Sequence, residues 1–405
     1  MRILVITDSL CVGGTSKSLI GFLQYAIEKH AKAQFDLLCL GSDNSLISQV
    51  PSGVSIHYAH KRYSGIRNNK IRGIMQNIVS TGITDTILCR LYRSGHSALK
   101  ADELMKIMYR SQRYSEKHTL LYDPVSEEYD VAISWTEMMA MYYLANRVRA
   151  KCKISWIHPN YLSAGFSSRV DEKYIRKMNF IVAVSKGNRD TIQSVFPMHR
   201  DKVLSIYNHI DREKICRQAL LGIADSAWEK DVFHMVTVCR LHDQSKALYR
   251  AISVCKRLEE EKIDFQWIII GDGPDKMAVE KAKEKAGLKD RLVFVGYKEN
   301  PYPYIKEAGL FVLQSYYEGK PLVIDEALCL GVPVLVTNYS AAGEQVTDGV
   351  NGWIVENEEN AIYQKLKMIL QNQEMVINMR SAIKNEPLIA EDDFEALDML
   401  LELEG

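Results

Sequence analysis

The chain has 405 residues, 47% hydrophobic and 25% charged, with 51 basic and 51 acidic side chains. That length suits two to three domains with sizeable cores, and zero formal net charge excludes a global field that would draw the protein to nucleic acid. The eight cysteines show no paired metal or redox spacing, and no apolar run approaches the roughly 18 residues needed to cross a bilayer. A reducing, cytoplasmic setting is therefore the expectation.

Short β-branched runs open the chain and recur along it: Ile3–Ile6, Phe35–Leu40, Val131–Trp135, Lys153–Ile157 and Phe180–Val184. Helix-length segments separate them, the alternation of a parallel, doubly wound sheet. The first run is too short for a signal peptide and stops at Asp8, so it reads as a strand. It leads into Asp8-Ser9-Leu10-Cys11-Val12-Gly13-Gly14-Thr15-Ser16. Paired glycines let backbone amides approach a ligand closely. The spacing G-x-G-x-x-G of a dinucleotide site is absent.

Residues 61–118 depart from the alternation. They hold 12 Lys and Arg against 4 Asp and Glu, a surplus of 8. Ile71, Ile74, Met75, Ile78 and Val79 fall at helical spacing, flanked by Arg67, Lys70 and Arg72. Two readings stay open: a basic helix on an anionic membrane or acceptor, or a helix packed on the N-terminal sheet with solvated charges. His158 follows the run Lys153–Ile157, at the end of a strand where α/β sheets bind ligands.

The alternation starts afresh at His234–Cys239 and continues through Trp267–Ile270, Leu292–Val295, Leu310–Leu313 and Val334–Val336. Two Rossmann-like halves are expected, joined around Tyr207 to Arg217. The boundaries drawn are 1–210, 211–390 and a terminal helix at 391–405. Arg240 and Lys246 lie in the loop after the first of these strands. Gly271-Asp272-Gly273-Pro274 and Gly296-Tyr297 are turns after the next two.

The richest stretch is Ser315-Tyr316-Tyr317-Glu318-Gly319-Lys320-Pro321-Leu322-Val323-Ile324-Asp325-Glu326-Ala327. It reads as strand, tight loop and helix, with Glu318 in the loop and Glu326 on the first helical turns. Amides at a helix N-terminus attract phosphate, and two carboxylates suit sugar hydroxyls. Such a site fits a nucleotide-sugar.

This segment resembles the Glu-x7-Glu motif of retaining GT-B glycosyltransferases, family 4 in the usual classification. The resemblance covers nearly the whole chain, most strongly Val203 to Gly352 and most weakly Tyr58 to Tyr122. It implies two Rossmann-like domains facing across a cleft, with a terminal helix crossing back to the first. It implies transfer of a sugar, with retention, from a nucleoside diphosphate sugar to the hydroxyl of a glycan or lipid-linked acceptor in bacterial cell-surface assembly. It assigns Glu326 to ribose, Glu318 to the donor sugar, and the amides of Gly319, Lys320, Leu322 and Val323 around Pro321 to sugar and phosphates.

Arg240-Leu241…Lys246 is similar to the family's Arg-Leu…Lys signature, whose cations neutralise the departing diphosphate. Here the spacing is one residue longer and Ala247 stands where the family has Gly. Gly13 and Gly14 would lie under the diphosphate, Gly271 and Tyr297 at the nucleotide, and His158 at the donor sugar. No metal is required if those cations and helix N-termini carry the phosphate charge, and the chain has no Asp-x-Asp clamp. A GT-B epimerase and a catalytically silent nucleotide-sugar-binding subunit are the alternatives.

Overall fold

The computed structural model describes residues 1–59, 101–223, 228–229, 232–385 and 398. The basic stripe at Arg67, Lys70 and Arg72 lies outside them. The chain divides into two compact units, Met1–His209 with Asp392–Gly405, and Ile210–Glu391.

The first unit is built on β1 (Arg2–Thr7), β2 (Gln34–Cys39), β3 (Val54–Tyr58), β4 (Glu128–Ser134), β5 (Arg149–Ile157), β6 (Phe180–Ala183) and β7 (Val203–Ser205). All pair in parallel, in the order β3-β2-β1-β4-β5-β6-β7. A central parallel strand is covered on both faces, so it reads as one apolar run rather than an alternation. Accordingly Ile3 and Val5 enter the core on one face of the sheet, and Leu4 and Ile6 the core on the other. The helix Gly14–Lys29 packs Phe22 against Trp135, with ring centroids 4.8 Å apart, and Trp135 stacks on Trp156 at 4.9 Å. Trp135 Nε1 donates to the Thr15 carbonyl at 3.0 Å. This ties the start of the helix to the end of β4 and sets the Gly13-Gly14 loop beyond β1. Asp398 accepts hydrogen bonds from Tyr25 (3.0 Å), in that helix, and from His30 (2.9 Å), which caps its C-terminus.

The second unit repeats the plan with β8 (His234–Val238), β9 (Gln266–Ile270), β10 (Leu292–Gly296), β11 (Leu310–Leu313), β12 (Val334–Thr337) and β13 (Gly352–Val355). Its order is β10-β9-β8-β11-β12-β13, again parallel. In both sheets the order reverses between the first and fourth strands, which leaves a crevice at their carboxyl ends. That switch point is β1/β4 in the first unit and β8/β11 in the second.

Both Rossmann-like halves expected from the sequence are present. The strands not anticipated are β3, β7 and β13. Each is an edge strand, short or exposed on one face, and so lacks the continuous apolar run that marks the centre.

Candidate active site

In the second unit the switch point is formed by two loops. After β8 the chain runs through Arg240, Leu241 and His242 into one helical turn, Asp243–Lys246. Ala247 then adopts a left-handed conformation (φ 53°, ψ 46°) before the helix Leu248–Glu260. Glycine takes that conformation most readily, so the family's Gly at this position has a backbone reason that Ala meets at a cost. The Gly271–Pro274 turn supports this loop from behind. Leu241 N donates to the Asp272 carbonyl at 3.0 Å, Asp275 N to the Leu241 carbonyl at 3.0 Å, and Asp243 N to Asp275 Oδ2 at 2.7 Å. Gly271 has φ 151°, and a Cβ there would fall 1.8 Å from the Cys239 carbonyl oxygen. Gly271 therefore shapes the arginine loop and need not touch a ligand to matter.

The loop after β11 is fastened to the first one. Tyr316 N donates to the Ser245 carbonyl at 2.8 Å, and Gln314 Nε2 to the Ala247 carbonyl at 3.0 Å. Lys246 Nζ forms an ion pair with Glu318 Oε1, which also accepts from Ser315 Oγ at 2.5 Å. Both charged side chains are largely withdrawn from solvent, 18% and 12% exposed. The family resemblance assigns these two residues separate duties, one to phosphate and one to sugar; in this structure they neutralise each other. Arg240 is exposed, and among the described residues no carboxylate pairs with it. The two cations of the signature thus stand in different states.

A third basic residue, Arg250, was not singled out from the sequence. It is buried, donates to Asn357 Oδ1 at 2.8 Å and to the Gln314 carbonyl, and lies over the Tyr316 ring with its guanidinium carbon 4.7 Å from the centroid. Asn357 Nδ2 donates in turn to the Tyr316 carbonyl at 2.8 Å, and Thr337 Oγ1 to the Ser315 carbonyl at 2.6 Å. These bonds hold the loop that carries Glu318. The only sequence signal was an arginine among the inward positions of an amphipathic helix, where a charge is rarely buried without partners.

Gly319, Lys320 and Pro321 lead into the helix Leu322–Cys329, so Leu322 and Val323 place their amides in its first turn, where N–H groups have no partner within the helix. Gln345 Nε2 donates to the Pro321 carbonyl at 3.0 Å. The Lys320 side chain is turned to Asp325 Oδ2 at 2.9 Å. Glu326 is buried on that helix and accepts from Tyr302 Oη at 3.1 Å. Tyr297, beyond β10, is exposed and follows Gly296, which has φ 72°. The Gly296 carbonyl accepts from Gly271 N at 2.9 Å, so these two turns form one structure.

In the first unit, no heavy atom lies within 4 Å of where a Cβ would stand on Gly13 or Gly14. Gly13 has an extended backbone (φ 165°), and neither glycine lies in the left-handed region. Packing and backbone geometry therefore do not require glycine there, and the space beside the loop is open. His158 lies just past β5, with Nε2 donating to the Trp135 carbonyl at 2.9 Å. Burial lowers its pKa to about 4, against the opposing effect of that carbonyl, so the ring is neutral at pH 7. The His158 amide donates to the Glu137 carboxylate, a residue the sequence did not mark.

Two parallel sheets of this order, each with its crevice at the strand carboxyl ends, define the GT-B architecture. The structure of HepE from Anabaena, solved with UDP and glucose, superposes with a TM-score of 0.65 at 15% identity, covering 95% of this chain and 94% of that one. At that identity the likeness is one of fold. Residues 223–386 match the family model described as glycosyl transferases group 1. The chain is 31% identical over 232 residues to N-acetylgalactosamine-N,N'-diacetylbacillosaminyl-diphospho-undecaprenol 4-alpha-N-acetylgalactosaminyltransferase of Campylobacter jejuni, 56% of this chain and 60% of that protein. It is 29% identical over 161 residues to amylovoran biosynthesis glycosyltransferase AmsK of Erwinia amylovora, 36% of this chain and 39% of that one. The chain thus spans less than two thirds of the length of either relative.

Proposed function

We propose that this protein is a retaining glycosyltransferase. It moves a sugar from a nucleoside diphosphate sugar to a hydroxyl of a glycan or lipid-linked acceptor in bacterial cell-surface glycan assembly. The observation that carries the reading is the joining of two loops at the β8/β11 switch point. It gathers Arg240, Lys246 and Glu318 beside the amides that open the Glu326 helix. Glu326 receives ribose and Glu318 the donor sugar. Arg240 and Lys246 stabilise the negative charge that builds on the diphosphate as it departs, an interaction stronger in the transition state than in the ground state. The relatives named for transfer to a diphospho-undecaprenol glycan and for amylovoran biosynthesis support the acceptor class.

In this reading the phosphate charge is carried without a divalent metal, so turnover should persist in EDTA. Residues 61–118 would meet an anionic membrane surface. In the helix Ala101–His118 exposed Met105 and Tyr109 alternate with exposed Lys106 and Arg110, a composition suited to headgroups. Among the described residues no helix is long and apolar enough to cross a membrane.

Incubation with a panel of UDP-, GDP- and ADP-sugars tests the reading. Slow donor hydrolysis supports it. Isomer exchange would mark an epimerase, and binding without turnover a silent subunit. Calorimetry with UDP should show Glu326→Ala weakened roughly tenfold or more, since each charge-assisted hydroxyl bond is worth about 1.5–3 kcal/mol. Unchanged affinity would remove Glu326 from the site.

A further inference from the structure

Two cysteines that lie far apart in the sequence meet inside the second unit. Cys216 sits on the helix Arg212–Gln218, and Cys329 ends the helix Leu322–Cys329. These two helices pack against one another. The Cys216 and Cys329 thiols are hydrogen-bond partners, and the Arg212 side chain is bonded to the Cys329 sulfur as well. Arg212 stands one helical turn before Cys216 and so shares its face of the helix. Both thiols are free, with Cys216 exposed and Cys329 half-buried.

The pair adjoins the carboxylate to which the donor reading assigns ribose. Glu326 stands three residues before Cys329, on the same face of a helix of 8 residues. Tyr302 Oη donates to Glu326 at 3.1 Å and lies close enough to Cys329 and Asp211 to feel the charge of each. Asp211 caps the helix of Cys216, accepting from Lys214 N at 2.9 Å. At the other end of that helix, the Gln218 carbonyl accepts from Asn300 Nδ2 at 2.8 Å, just before the helix Tyr302–Glu307. Cys216, Cys329, Tyr302 and Glu326 thus belong to one packed group of three short helices.

We propose that Cys216 and Cys329 form a reversible disulfide that weakens nucleoside diphosphate binding. A peroxide is the oxidant. The Cys216 sulfur attacks one peroxide oxygen, the O–O bond breaks, and the second oxygen leaves as water with the thiol proton. Cys216 is then a sulfenic acid. The Cys329 sulfur attacks the Cys216 sulfur, the S–O bond breaks, and the hydroxyl leaves as water with the Cys329 proton. Two thiols are oxidised to one disulfide, and one hydrogen peroxide is reduced to two waters. A dithiol reductant reopens the bond by exchange. The binding half of the proposal rests on the donor-site reading above.

Exposure sets the order of the steps. Cys216 is open to the oxidant. Burial pushes the Cys329 thiol up to about 11, with the Cys216 thiol adding to the rise and Arg212 opposing it. Cys329 therefore stays a thiol until the sulfenic acid forms beside it, and the Arg212 cation favours its sulfur as the proton leaves. A disulfide holds its sulfurs about 2.05 Å apart, well inside the separation of hydrogen-bonded thiols. Closure draws the C-terminal end of the Glu326 helix toward the helix of Cys216. A helix of two turns passes that shift on to a residue three positions away.

The test treats the full chain with hydrogen peroxide and maps its unreduced peptides by mass spectrometry. UDP affinity is measured by calorimetry before oxidation, after it, and after dithiothreitol. A peptide linking Cys216 to Cys329 should dominate the map. The oxidised protein should bind UDP at least about fivefold more weakly, a typical coupling between sites, and dithiothreitol should reverse both changes. Cys216→Ser alters an exposed side chain. It should fold and bind UDP like wild type, form no such peptide and keep its affinity in peroxide. Oxidised wild type without the linked peptide overturns the proposal, as does one that carries the peptide at unchanged UDP affinity. So does a Cys216→Ser protein that loses affinity in peroxide as wild type does, since the effect then lies at another thiol. Reduced wild-type protein that binds no UDP brings down the donor-site reading, and the regulation with it, whether or not the linked peptide forms.

Discussion

Lys246 and Glu318, 72 residues apart in sequence, form an ion pair at the switch point of the second sheet, with Ser315 Oγ as a further donor to the carboxylate. The ion pair neutralises both side chains where they are largely withdrawn from solvent.

Glu318→Gln should separate binding from turnover. It frees Lys246 for the diphosphate, so UDP affinity should hold or rise by up to about fivefold, the equivalent of roughly 1 kcal/mol. Donor hydrolysis should fall about 100-fold, since a partner of the reacting sugar is lost. Calorimetry and hydrolysis measured on the same preparation decide it; parallel losses in both would show that Glu318 serves only to hold the loop.

Two glycine substitutions should behave in opposite ways. Gly271→Ala sets a Cβ into the Cys239 backbone at a position with φ 151°, and should destabilise the protein by more than about 3 kcal/mol. Gly13→Ala meets no atom within 4 Å. It should unfold like wild type while donor hydrolysis drops. Urea unfolding followed by circular dichroism distinguishes the two; a strongly destabilised Gly13→Ala would show that packing explains that glycine after all.

Ala247 bears a left-handed backbone and a fully buried methyl group. Replacement by glycine removes strain of about 1–2 kcal/mol but also the buried methyl and some chain stiffness, so stability should stay within about 1 kcal/mol. A β-branched residue cannot relax there. Ala247→Val should cost about 2 kcal/mol or more and lower UDP affinity by displacing Lys246. Thermal unfolding of the three proteins in parallel orders them.

Glu137 gives the first unit a pH signature. Its native pKa of about 7, raised by burial from 4.5, means that the folded state binds more protons than the unfolded chain between those values. Its contribution to stability is therefore lost as pH rises from about 4.5 to 7. His158 acts oppositely, since its pKa is lowered from 6.5 to about 4 and its contribution grows over pH 4 to 6.5. Glu137→Gln keeps an acceptor for the His158 amide and removes the first effect. Scanning calorimetry should find no gain over wild type at pH 4 and the largest gain above pH 7; a constant difference across pH would show that the carboxyl is not desolvated.

Central parallel strands are buried on both faces, and their apolar runs stand out in the sequence without any knowledge of partners. The two sheets, the loop after each strand and the helix behind Glu318 and Glu326 were legible for that reason. The edge strands β3, β7 and β13 were not, because edges are short or half-exposed. The close approach of Gly271 to Cys239 is a fact of packing that no motif displays. The ion pair of Lys246 with Glu318, the anchoring of that loop by Arg250, and the bond from the His158 amide to Glu137 all depend on which strands lie side by side. Strand order is set by non-local pairing and burial, so the residue types at the site were determined by the sequence alone, while their partners and charge states were decided only when β8 met β11 and β1 met β4.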